Sequence, residues 1–176
     1  MNKGLFKKLL PHLVAIIVFL VVTVIYFYKP IADGNVMNQG DIVGWKGMAQ
    51  NAFEYKAKHG HFPLWNPALF SGMPNYQVAM EVKSIIPDNL LKIFALGMPK
   101  PINFFFLACI CFYILCLALR TRPVIAIFGA LSFAFATYNP VIIGAGHETK
   151  MLAIAFMPLA LAGLIFSFEK KSPLRS

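Results

Sequence analysis

Apolar residues in this chain gather into long unbroken runs. Residues 9–28 contain no Asp, Glu, Lys or Arg. Twenty residues at a rise of about 1.5 Å span about 30 Å, one hydrocarbon thickness. Residues 101–119 and 151–168 form similar runs, and a third, 123–146, is interrupted by Asn139-Pro140. The pattern predicts an all-α integral membrane protein with four transmembrane helices, at 9–28, 101–119, 123–140 and 151–168. Helices one and two are separated by a large polar loop, 29–100, containing short helices of its own. In 42–58, Val43, Ala49, Ala52 and Phe53 recur near helical spacing, with Lys46, Glu54, Lys56 and Lys58 elsewhere. That helix is expected to begin at an Asp41 cap and to stop at His59-Gly60. Residues 61–74 hold three prolines and a glycine, which exclude a regular helix, yet Phe62, Leu64, Trp65, Leu69, Phe70 and Met73 are too apolar for a solvated linker. Residues 86–98 read as a second loop helix lying along the membrane surface.

Composition strengthens the membrane reading. The chain is 59% hydrophobic and 13% charged, with a formal net charge of +9. Soluble domains have about 45–50% apolar and about 25% charged residues, so a disordered tail, a disulfide scaffold and an ordinary soluble enzyme are excluded. Lys3, Lys7, Lys8, Arg120, Arg122, Lys170, Lys171 and Arg175 make up eight of the 16 basic residues, in three short stretches that four crossings place on one side. The positive-inside rule then puts both termini in the cytoplasm and loop 29–100 outside a bacterial-type cytoplasmic membrane. Lipid boundaries thus account for the basic excess, and no nucleic-acid partner is expected. The first run is longer than a signal-peptide core, and Tyr26-Phe27-Tyr28-Lys29-Pro30 offers no small-residue cleavage site, so it reads as a retained anchor. Cys109, Cys111 and Cys116 all lie in the second run, too close along one helix to form a ligand pair, and read as packing residues.

Several residues are candidates for chemistry. Asp41 stands about a dozen residues beyond the first span, where a carboxylate can accept a proton from a hydroxyl or simply cap a helix. His147, Glu148 and Lys150 form the ionisable cluster between spans three and four. They suit a phosphate, through the lysine point charge, or else a polar hairpin turn. Asn139-Pro140 marks either a cavity-lining break or a simple kink. Trp65-Asn66 can stack on and hydrogen-bond a sugar, or sit at a membrane interface. His59 and His61 have no third ligand at metal spacing and read as surface histidines.

Gly40-Asp41, Pro63-Leu64-Trp65-Asn66-Pro67 with Phe70-Ser71-Gly72-Met73-Pro74, and Gly146-His147 with Lys150 ahead of Pro158, resemble the YfhO family. The order of span, large outer loop with an early acid, and closely spaced further spans resembles the amino-terminal part of the GT-C superfamily of membrane glycosyltransferases. This resemblance implies transfer of a sugar from a polyprenyl-phosphate donor to a cell-envelope polymer or lipid on the outer face. It places the superfamily's loop acid at Asp41. Members typically have ten or more spans, so the chain is expected to be an amino-terminal fragment whose partners include the remaining spans. Paired loop acids, common in the superfamily, are missing here: Ile42, Val43 and Gly44 follow Asp41, and Asp33 lies eight residues upstream. No cofactor is expected, and a divalent metal lacks its acidic pair.

On this reading Asp41 takes the acceptor proton, and Lys150 with His147 neutralises the departing lipid phosphate, with inversion at the anomeric carbon. The aromatic, proline-rich segment covers the sugar and limits competing water. The competing class is a non-catalytic transporter or flippase subunit, or an assembly partner. A carrier more naturally holds ionisable groups in mid-span, and none of the four runs carries an Asp, Glu, Lys or Arg.

Overall fold

The structure is a computed structural model that describes residues 3–33, 39–79, 93 and 97–168. It is helical apart from one small hairpin. α1 spans Lys3–Tyr26 and α2 spans Tyr28–Ala32, so the first apolar run breaks at a turn on Phe27. α3 covers Gly40–His59. The hairpin pairs β1 (Trp65–Asn66) antiparallel with β2 (Met73–Pro74), in the register Trp65↔Pro74 and Asn66↔Met73, and a 3₁₀ turn follows at Asn75–Gln77. Then come α4 (Ile102–Ala118), α5 (Pro123–Ala134), α6 (Tyr138–Ala145) and α7 (Glu148–Phe168). The loop helix expected at 86–98 falls almost wholly outside the described residues.

Three helical stretches are long and apolar enough to cross a membrane: Phe6–Tyr26, Pro123–Ala145 and Glu148–Phe168. α4 is shorter, at 17 residues, but it forms the centre. α1, α5 and α7 all pack on it, and Phe104, Phe105, Phe106 and Leu107 are buried. The surrounding helices meet it through small residues. Ala126, Ala130 and Ala134 recur every fourth position on α5, and Ala155 and Ala162 lie two turns apart on α7, all fully buried. Small side chains let helix backbones approach closely where lipid gives no hydrophobic drive for association. The outward faces are apolar as well, carrying Ile17, Ile25, Val124, Phe128, Met157 and Leu164. Helices that are apolar all round belong inside a core or a bilayer.

Side-chain contacts give the helix directions. His12 Nδ1, in the first half of α1, lies 2.9 Å from the Tyr113 hydroxyl in the second half of α4. The Phe27 and Phe105 rings meet at 4.8 Å at the other end, so the two helices are antiparallel. Lys100 and Glu148 pair ahead of α4 and at the start of α7, and Leu115 and Ala118 pack with Ala162 further along, so these two run parallel. The Arg120–Arg122 turn therefore lies at the bundle end opposite Lys100 and Glu148.

The third apolar run is broken, but not at Asn139-Pro140. The discontinuity is at 135–137, and both residues lie in the first turn of α6. Proline is tolerated in a first turn because its missing N–H has no helical acceptor there, whereas its ring collides with the carbonyl four residues earlier. That carbonyl belongs to Ala136, inside the break. Asn139 then mends the end of α5: its Nδ2 donates to the carbonyls of Phe133 at 2.9 Å and Ala134 at 3.1 Å. α7 begins at Glu148, three residues ahead of the apolar run.

Candidate functional site

α3 does not begin on an Asp41 cap. Its N-cap is Gln39, without a capping side-chain bond, and Asp41 sits in the first helical turn. There the carboxylate faces the positive end of the helix dipole and is free to reach elsewhere. Gln39 is also engaged elsewhere: its Nε2 donates to the Ile143 carbonyl, 104 positions on, at 2.6 Å. That bond ties the start of α3 to the end of α6.

Gly146 completes the junction. It ends α6 with φ +109, and a Cβ there would lie 2.9 Å from Ile42 Cγ1 and 3.3 Å from Gln39 Cβ. Only glycine combines the left-handed turn with this approach. The next residue, His147, is thereby turned towards α3, and its Nε2 lies 3.1 Å from Asp41 Oδ2. The two candidate clusters, distant in sequence, thus form one pair. The approach is an ion-pair contact between the imidazole and the carboxylate. The Asp41 and His147 side chains are 61% and 49% exposed, so the pair stands at the surface of the fold.

Glu148 pairs with Lys100, a residue the sequence pattern did not single out. Lys100 also lies 5.9 Å from the Phe104 ring centre. Lys150 is placed differently. Its Nζ sits 5.5 Å over the Tyr138 ring, at the far end of α6 from His147. Asp41, His147, Glu148 and Lys100 therefore line one end of the bundle, with Lys150 displaced along it.

Trp65 and Asn66 are not part of this group. With Asn51, Tyr55 and His59 of α3, they line a cavity of about 550 Å³. Asp41 is in the first turn of the same helix, so this cavity lies about 15–27 Å further along its axis. The His59 and His61 rings, 6.4 Å apart, both pack near Tyr55. Among the described residues no group of three His, Cys, Asp or Glu is gathered for a metal. Cys109 and Cys111 are buried and Cys116 half-buried, all as free thiols in α4.

Loop packing departs from expectation at its edge. Ala49 and Ala52 are buried against Ala79, Phe62 and Val78, while Val43 is 60% exposed. Trp45 Nε1 donates to the Val78 carbonyl at 2.6 Å and fastens the following segment to α3.

Compared with protein-family models, curated proteins and solved structures, the chain finds no match.

Proposed function

We propose that this chain is a membrane-embedded glycosyltransferase-like protein that passes a sugar from a polyprenyl-phosphate donor to a cell-envelope acceptor. The observation that carries the reading is the contact between Asp41 Oδ2 and His147 Nε2 at 3.1 Å, at a surface also holding Lys100 and Glu148. The proposed topology has four crossings, with α4 as the second, both termini in the cytoplasm and the pair on the outer side. The Arg120–Arg122 turn at the opposite bundle end accords with the positive-inside rule. A polyprenyl donor keeps its tail in lipid and its sugar phosphate at the boundary, where this pair would meet it.

The geometry favours a dyad over a lone carboxylate. Asp41 holds Nε2–H and orients the imidazole, and Nδ1 takes the acceptor's proton as the hydroxyl attacks the anomeric carbon. Lys100, when it parts from Glu148, is a cation beside the pair for the departing phosphate, with Lys150 further along the bundle. General-base help contributes about 10²–10⁴-fold. Transfer from a synthetic polyprenyl-phosphate sugar, measured in membranes expressing the complete gene product, should fall about 100-fold or more in both Asp41→Asn and His147→Ala. Loss in Asp41→Asn alone would return the role to the carboxylate. Wild-type rates at normal expression in both variants would remove the dyad from the reaction.

A further inference from the structure

We infer that the cavity between the second half of α3 and the hairpin is a binding site for a pyranose ring, separate from the Asp41–His147 pair. Asn51, Tyr55 and His59 recur every fourth residue and form one wall, with Glu54 and Lys58 beside them; Trp65, Asn66 and two prolines form the other. A volume of about 550 Å³ lies in the usual range for small-molecule sites.

The walls are held in place before any ligand arrives. Gly72, at φ +112, lets the Trp65 indole lie against the backbone, since a Cβ there would fall 2.6 Å from Trp65 Nε1. Trp65 is nevertheless 55% exposed, so it still offers apolar surface. The Tyr55 ring is fixed against His59 at 4.3 Å. Glu54 Oε1 accepts from Gln50 Nε2 at 2.8 Å. Preorganised side chains lose less entropy on binding.

The floor is chemically incomplete. Asn66 is 1% exposed, and its Oδ1 accepts from the Ala68 N–H at 3.0 Å. Its Nδ2 is buried and, among the described residues, has no hydrogen-bond partner. Buried donors are rarely left so, because the loss of hydration is not made good. The cavity thus combines an aromatic wall, an unsatisfied donor, a carboxylate acceptor and the two-way amide of Asn51. Glu54 and Lys58, one helical turn apart, offset each other in charge.

A pyranose matches this set. One face presents C–H groups to an aromatic ring, while its hydroxyls both donate and accept around the rim. A flat apolar ligand would leave Nδ2 unpaired, and a small anion would face Glu54.

The test uses the 176-residue chain in nanodiscs, with methyl β-glucoside, methyl α-mannoside and N-acetylglucosamine as probes and indole and inorganic phosphate as contrasts. Binding is followed by saturation-transfer NMR and tryptophan fluorescence. At least one sugar should bind saturably. Asn66→Asp, which keeps the acceptor for Ala68 and removes the donor, should weaken that binding about tenfold. Trp65→Ala should weaken it at least as much. Asn51→Ala, confined to the exposed side of α3, should weaken it severalfold without touching the hairpin. Absence of saturable sugar binding, preference for indole or phosphate, or sugar affinity unchanged in both Asn66→Asp and Asn51→Ala would overturn the assignment. A soluble oligosaccharide compared with a glycolipid bearing the same sugar separates a polymer source from a lipid one. Binding is read without transfer, so an occupied cavity in a protein inactive in transfer would leave this inference standing and remove only the transfer reading.

Discussion

The helical bundle and the loop unit keep their shapes by different means. In the bundle, side-chain volume dominates: Phe19, Phe104, Phe105, Phe106 and Leu107 are nearly inaccessible, and Phe105 touches Phe27 and Phe135. In the loop unit the buried cluster consists of three alanines, Ala49, Ala52 and Ala79. Its form depends on the backbone instead: a two-residue strand pair, a bond from Trp45 to Val78, and a turn with Phe70, Ser71 and Gly72 all at positive φ. Regions with little buried apolar surface open at lower free energy than packed cores. A candidate chemical pair thus joins a firm element to a softer one, with His147 carried by the bundle and Asp41 by the loop.

The sharpest way to break this comparison is to damage the firm side. Phe105→Ala should cost about 3–5 kcal/mol of bundle stability, read as a lower melting temperature in detergent. Hydrogen exchange across 64–75 should stay near wild type until the bundle melts. Equal loss of protection in both places would make the two regions one cooperative unit. Gly146→Ala acts on the junction. Left-handed backbone with an added Cβ costs about 1–3 kcal/mol, so exchange at 39–46 should rise while the bundle's melting point barely moves. Unchanged exchange there would mean that α3 does not depend on this docking point. The smallest effect belongs to the pair itself. A double-mutant cycle of Asp41→Asn with His147→Ala should give a coupling below about 1 kcal/mol, as for other exposed ion pairs. A value well above that would show the pair to be shielded in the membrane-bound protein.

Periodicity and run length made the helices readable. α3 was foreseen to within two residues at either end, and the positions of α1, α4 and α7 follow from apolar runs bounded by charge. Details set by tertiary contact were not readable in the same way. Pro140 announced a break, but its steric effect falls on Ala136, so the interruption lies upstream of the residue that causes it. Asp41 looked like a cap by composition, yet Gln39 takes that position and spends its amide on Ile143. Val43 fits a helical stripe, yet it is 60% exposed. The meeting of Asp41 with His147 has no local signature apart from Gly146, whose place before the histidine hints at a tight turn. Lys100 carries no local signature that sets it apart from other cations, since its pairing with Glu148 depends on how α4 and α7 lie side by side.

The gap at 135–137 sets where His147 ends up. In one continuous rod from Pro123 to Ala145, every residue's azimuth would be fixed by the alanine stripe that seats α5 on α4, at about 100° per residue. The irregular turn at 135–137 interrupts that regular progression between α5 and α6. Inserting or deleting a residue within α6 would swing the imidazole around the axis by about 100°. The molecule thus aims a polar side chain from an apolar scaffold without disturbing how that scaffold is packed.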